Sequence, residues 1–232
     1  MTHYVAFDLE TTGVSSFFDV PVSYGFFEHM EKDEGAERVR QWGLVNPGIP
    51  IPAGASAVHG ITDAMVTDAQ SLGDGVEFIA GRLQEIWFSG YVVVGMNVSY
   101  DLTMVDSLCQ RLGIATLTQR GGVGPVLDVL ILDRRFDKWR KGPRKLTDLC
   151  AHYGVTLDSA HSAVDDAMAS LEVLEAQLKQ YPAIGEIPVA SMNEMLRAWY
   201  VEWLASFSTY LEKKGEAPIG SGRYDWPIHS GE

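Results

Sequence analysis

Tyr4-Val5-Ala6-Phe7-Asp8-Leu9-Glu10 is an apolar, strand-like stretch that carries two acids. Alternate residues of a strand share a face. Val5, Phe7 and Leu9 therefore point one way, and Ala6, Asp8 and Glu10 the other. Two carboxylates side by side on a half-buried strand repel each other and lose hydration. A divalent cation relieves both penalties, and carboxylate oxygens are the hard ligands that magnesium prefers. Thr11-Thr12-Gly13 follows as a turn that leaves the carboxylates at the open end of the strand. Taken alone, the pair is equally compatible with a helix cap or a solvated edge.

Outward from this strand, residues 20–27 and 39–46 read as two more, separated by the polar stretch 28–37, which suggests an antiparallel meander. Residues 47–55 form a Pro/Gly loop, and 62–65 open a short helix. Helical spacing recurs over 76–87, 99–112, 146–153 (with Gly154 as its left-handed stop) and 162–180. Residues 91–95 and 126–132 are apolar runs suited to strands buried on both faces. Three strands followed by alternating strands and helices predict an α/β fold, a mixed five-stranded sheet with helices packed on it. Beyond Pro188, Met192, Leu196, Trp199, Trp203 and Phe207 fall at helical spacing, and from Gly215 onward Gly, Pro and Ser suggest an extended tail. This divides the chain into a domain over 1–182 and a C-terminal helix and tail over 183–232. The helix either packs back on the domain or docks a partner such as a polymerase.

No apolar run approaches the ~18 residues of a membrane span, and no basic segment precedes the first strand to suggest a signal peptide. Cys109 and Cys150 form neither a disulfide framework nor a zinc spacing, which favours a reducing, cytoplasmic interior. A formal net charge of −13 argues against a basic nucleic-acid binder. The objection weakens if grouped acids hold cations, which reverse the local sign. Seven of the 18 basic residues also crowd into 134–145, either a guide for a polyanion or a solvated loop.

Two further acidic groups stand out. Asp101 follows the 91–95 strand and begins a helical stripe with Val105, Leu108 and Leu112. A helix start tolerates any acid, but that does not explain one on the inner face. In His161-Ser162-Ala163-Val164-Asp165-Asp166, the stripe of Ala163, Ala167, Leu171 and Leu174 makes Asp166 the inward acid and Asp165 the solvent-facing one. His161 precedes that helix, where it can swing over a site or simply lie at the surface. His59 fits a turn better than a ligand. Four acids and a histidine from separate strand ends and helix starts suit phosphodiester hydrolysis with two divalent ions. The histidine would take the proton of the attacking water. There is no phosphate loop of the NTPase type.

Phe7-Asp8-Leu9-Glu10-Thr11-Thr12-Gly13, Asn97-x-x-x-Asp101 and His161-x-Ala163-x-x-Asp166, in this order, resemble the DnaQ-like (DEDDh) exonucleases, a family that includes the proofreading subunit of the bacterial replicative polymerase. The stretch from Val45-Asn46-Pro47-Gly48 to Val58-His59-Gly60-Ile61-Thr62 adds to the likeness, which covers roughly 1–180. The resemblance implies a ribonuclease H-like fold and two divalent cations, Mg2+ or Mn2+. Asp8 would bridge both; Glu10 and Asp166 would complete one ion and Asp101 would support the other. His161 would be the general base. Thr11, Thr12, Gly13 and Asn97 would bind the terminal nucleotide. The implied reaction is 3′→5′ removal of nucleoside 5′-monophosphates from a single-stranded or frayed DNA end, in proofreading or repair, with a polymerase as a candidate partner. RNA is the alternative substrate, and a non-catalytic binding module the alternative class. The acidic stretch 15–37 is longer than the family pattern leads one to expect and could reshape substrate access.

Overall fold

β1 (Tyr4–Thr11) pairs antiparallel with β2 (Pro21–Lys32), and β2 with β3 (Gly35–Asn46). These three strands are the expected meander. The chain then passes through α1 (Ala53–His59), α2 (Asp63–Val66), the two-residue β4 (Gln70–Ser71) and α3 (Leu72–Phe88). It returns beside β1 as β5 (Val92–Gly95), which is parallel to β1. The computed structural model describes residues 2–32, 35–157 and 162–231, without the side chains of 30–32, 35 and 36.

α4 (Ser99–Leu112), β6 (Val126–Asp128), α5 (Val129–Phe136), α6 (Leu146–Tyr153), α7 (Ala163–Gln180) and α8 (Met192–Lys213) complete the fold. The sheet order is β4-β3-β2-β1-β5-β6, with β5 and β6 parallel. The α/β class and the C-terminal helix agree with the sequence expectation. The sheet has six strands rather than five, because β4 adds a parallel edge too short to leave a pattern.

Strand alternation sorts the two faces. Phe7 stacks on its cross-strand partner Phe26 at 4.8 Å, and Tyr24 reaches Phe78 of α3. Ala6, Asp8 and Glu10 look toward α7 on the opposite face. The buried residues Met192, Leu196, Tyr200 and Leu204 of α8 join the same apolar core as β1, β5 and β6. Each such side chain contributes roughly 1.5–3 kcal/mol by burial.

Four local expectations change. The 126–132 run is a strand only as far as Asp128, whose carboxylate accepts from the amides of Leu130 (2.9 Å) and Ile131 (3.4 Å) and so caps a helix instead. α1 begins inside the expected loop at Ala53. The polar 28–37 stretch does not separate two strands; β2 runs on to Lys32, and β3 starts at Gly35. The tail is not extended throughout: Ser221–Tyr224 forms a 3-10 turn, Trp226 and His229 are buried, and the His229 amide donates to Thr103 Oγ1 of α4 at 2.9 Å. Among the described residues, no helix is long and apolar enough to cross a membrane.

Candidate active site

The site forms where β1, β5 and β6, parallel to one another, all end. That is the end of an open α/β sheet at which ligands bind. Asp8 stands opposite Gly25 of β2, and the β1–β2 register slips between Glu10 and Thr11. A Cβ at Gly25 would lie 2.3 Å from the Val164 amide nitrogen and 2.4 Å from the Ala163 carbonyl carbon. The absence of a side chain at Gly25 therefore lets the first turn of α7 rest on the sheet itself. This approach brings Asp166 beside the β1 pair: ligand oxygens of Asp8, Glu10 and Asp166 lie within 4.8 Å of one another. Three hard oxygen donors so close together can hold a divalent metal ion.

α7 is also tied to the sheet by ion pairs. Arg40 pairs with Asp165, Arg38 with Glu172 at 2.8 Å, and His29 Nδ1 lies 2.6 Å from Glu175. Asp165 thus faces β3 rather than open solvent, which corrects the sequence reading; Asp166 is the inward acid, as expected.

Asp101 reaches the cluster through a sharp bend. A Cβ at Gly95 would come within 2.9 Å of the Phe7 carbonyl oxygen, and Asn97 adopts φ 56°. Asp128 holds this bend by accepting from the amides of Asn97 and Val98, both at 3.1 Å. One buried carboxylate therefore caps α5 and fixes the approach to α4. Asp101, in the first turn of α4, is buried, and its charge acts on Asp8.

The electrostatics are those of crowded acids. Burial pushes Asp8 well above the usual carboxylate range, and repulsion from Asp101, Asp166 and Glu10 adds to it. Glu10 is pushed up to about 7, by burial first and then by Asp166. Asp101 is raised well above the normal range by burial; its own amide and that of Leu9 oppose the rise, while Asp128 and Glu10 reinforce it. The neighbouring charges that raise Asp8 and Glu10 are carboxylates.

A second acid-rich group contrasts with this one. The Asp133 carboxylate receives Arg140 at 2.9 Å, Arg144, and the Tyr153 hydroxyl at 2.9 Å, while His152 pairs with Asp137 at 3.0 Å. That group is already neutralised by protein cations.

The raised acids set the pH dependence of the metal-free fold. A carboxylate whose pKa rises on folding stabilises below its unfolded value, and that stability is lost as pH rises through the folded value. For Glu10 the window runs from 4.5 to about 7, and the loss is on the order of 3 kcal/mol. His229 acts oppositely: burial lowers it to about 4, so its contribution is present above 6.5 and lost as pH falls toward 4. The rise in melting temperature caused by adding Mg2+ or Mn2+ removes the His229 effect, and it is expected to grow steadily from pH 5 to pH 8. Calorimetry with and without chelator measures it; an ion effect independent of pH would contradict the acid-cluster account.

The turn after β1 is internally braced. Thr11 Oγ1 and the Tyr100 hydroxyl both donate to the Gly13 carbonyl at 2.7 Å, and Thr12 Oγ1, which is buried, donates to Asp19 at 3.1 Å. Thr11 and Gly13 remain half-buried at the rim, and Asn97 is exposed. His59 is the buried last residue of α1 rather than part of a turn, its Nδ1 accepting from the Ile61 amide at 3.0 Å. His161 lies outside the described residues. Sequence reasoning missed Gly25, Asp128 and Tyr100. Asp128 did leave a signal, as the one acid in an otherwise apolar run, Val126-Leu127-Asp128-Val129. Gly25 left none.

The chain is 30% identical over 195 residues to a DNA polymerase III PolC-type from Caldanaerobacter subterraneus subsp. tengcongensis, a match covering 83% of this chain and 13% of that protein. It is 32% identical over 184 residues to a DNA polymerase III subunit epsilon-like protein from Rhodobacter capsulatus, covering 78% of this chain and 24% of that one. The chain thus spans about a quarter or less of these curated relatives. E. coli exonuclease I in complex with a dA16 oligonucleotide shares the fold, with a TM-score of 0.64 at 16% identity over 79% of this chain and 42% of that one. Residues 5–174 match the exonuclease family RNase_T. That match runs from β1 into α7 and takes in every acid of the cluster, so the chain belongs to the RNase_T exonuclease family.

Proposed function

We propose that the protein is a metal-dependent 3′→5′ exonuclease that cleaves the terminal phosphodiester of a DNA strand and releases nucleoside 5′-monophosphates. The convergence of Asp8, Glu10 and Asp166 oxygens within 4.8 Å carries this reading. Asp8, Glu10 and Asp166 would hold two divalent cations, Mg2+ or Mn2+, with Asp101 supporting the second. When bound, such ions polarise the phosphoryl oxygen, lower the pKa of the attacking water and stabilise the leaving oxygen. Burial of Glu10 and Asp101 keeps bulk water from hydrating these carboxylates, so their charge stays available to cations.

His161 would accept the proton of the attacking water. It directly precedes Ser162, whose carbonyl accepts the amides of Asp165 and Asp166 at 2.9 Å. Thr11, Gly13 and Asn97 would border the terminal nucleotide. Thr12 would brace that border from inside, and Tyr100 would join it through its bond to Gly13. Residues 1–182 would form the catalytic unit and 183–232 its C-terminal extension. Buried free Cys109 and Cys150 favour a cytoplasmic location. The polymerase names of the relatives favour a role in replication or repair beside a polymerase. No contact that would distinguish a 2′-hydroxyl is evident among the described residues, so RNA stands as the second substrate.

The test is digestion of a 5′-labelled single-stranded DNA oligonucleotide, and its RNA counterpart, in Mg2+, Mn2+ or chelator. The expected result is a ladder shortening from the 3′ end, dependent on metal and faster on DNA. Faster cutting of RNA would move the assignment to an exoribonuclease; no cutting of either would overturn the hydrolase reading.

A further inference from the structure

α5, the loop after it and α8 line a groove of about 530 Å³. Its lining is unlike the rest of a chain with net charge −13. Arg134, Arg135, Lys138 and Arg144 line it, with Glu202 as the one carboxylate. Arg144 is committed to Asp133. The Arg134 guanidinium lies 3.4 Å over the Trp203 ring, which fixes its direction. Arg135 and Lys138 touch Glu202 only loosely, at 3.6 and 3.5 Å, through side chains about half exposed or more. Such surface pairs are weak and exchange readily for phosphate.

Between these cations stands Trp139, 86% exposed. Lys138 Nζ lies 5.8 Å from its ring centroid, and Trp139, Trp203 and Phe207 line the same groove, so the indole belongs to a patch rather than standing singly. Along α8, Trp203, Phe207 and Tyr210 continue it as near-parallel rings, tilted 12° and 16° and spaced 5.3 and 6.2 Å. Phosphate-pairing cations beside an exposed aromatic ring are the chemistry of single-stranded nucleic acid binding, in which bases stack and the backbone is held by charge. A groove of this sign would also draw a polyanion that the acidic remainder repels.

We propose that the α5–α8 groove binds single-stranded nucleic acid, with a base stacked on Trp139 and backbone phosphates on Arg134, Arg135 and Lys138, as a holding site separate from the acid cluster. α5 has eight residues, so it is roughly 12 Å long. At roughly 3.4 Å per nucleotide of a fully stacked strand, it spans at most about three or four nucleotides, and fewer if the strand is extended. This inference rests on the nucleic-acid reading of the acid site.

The experiment uses the full chain carrying Asp8→Asn, so that the strand survives, and a fluorescent 16-nucleotide oligothymidylate read by anisotropy in chelator. Trp139→Ala and Lys138→Ala are both exposed changes, and their melting temperatures are checked first. The expected result is about ten-fold weaker binding for Trp139→Ala and a shallower salt dependence for Lys138→Ala, by roughly 0.7 in log–log slope. In the cleaving protein, Trp139→Ala is expected to reduce the kcat/KM advantage of the 16-nucleotide strand over a trinucleotide by a similar factor. Binding and salt slope equal to those of the parent would overturn the proposal. So would a groove that takes an oligoglutamate peptide and not the oligonucleotide, which would make the partner an acidic protein. Trp139-dependent binding without any digestion would refute the hydrolase reading and leave this one standing; digestion with Trp139-independent binding would do the reverse.

Discussion

Asp8→Asn is expected to lower strand hydrolysis by roughly 10³-fold or more, while raising the melting temperature of the metal-free protein at pH 8. The first effect follows from the position of Asp8 at the centre of the acid group, where Asp101, Asp166 and Glu10 all act on it. Metal-borne charge stabilisation in such a site supplies several kcal/mol, and each ~1.4 kcal/mol is ten-fold in rate. The second effect has the opposite sign because the amide keeps the shape of the carboxyl and removes its charge. In the folded metal-free protein, burial and the neighbouring carboxylates make an ionised Asp8 unfavourable and raise its pKa well above the usual range. The amide carries no such penalty. Kinetics in Mg2+ and calorimetry in chelator measure the two effects on one variant. A variant that is both inactive and less stable would mean that Asp8 serves the fold, not a cation.

Gly25→Ala is expected to destabilise the protein by about 1–3 kcal/mol or more, as overpacking does, and to slow hydrolysis by roughly 10²-fold with the metal ligands all intact. The added methyl would sit 2.3 Å from a backbone nitrogen of α7, which cannot rotate away. The helix must lift, and with it Asp166. A shift of ~1 Å at a catalytic geometry is enough for such a loss in rate. Gly81→Ala in α3 is the control, since nothing lies within 4 Å of its would-be Cβ; it is expected to gain about 0.5–1 kcal/mol. Near-parental activity in Gly25→Ala, with denaturant unfolding to match, would show that α7 is not held at this distance by the glycine.

The helices at Ser99–Leu112 and Leu146–Tyr153 were legible to the residue, because each has an apolar stripe and ends at a glycine, Gly113 or Gly154, in the left-handed conformation. The strand ending at Asp128 was not, because Val129-Leu130-Ile131-Leu132 is apolar on every side and has no period to distinguish strand from helix. Two amides meeting the Asp128 carboxylate decided it. Asp165 was misread for a related reason. The stripe of α7 shows which side meets the core but not that Arg40, on a strand remote in sequence, waits opposite the other side.

By itself, the sequence determined that Asp8 and Glu10 share one face of a strand, that Asp166 is the inward acid of its helix, and that strands precede helices in a mixed α/β order. Those are consequences of local period, two residues for a strand and about 3.6 for a helix. Only the tertiary structure decided that the acids meet. It did so through a glycine in β2 that admits α7, an aspartate at the end of β6 that fixes the bend before Asp101, and a sheet order that lays β1 beside β5. Close approach between segments far apart in the chain has no period, so it leaves no mark in the sequence that local reasoning can find.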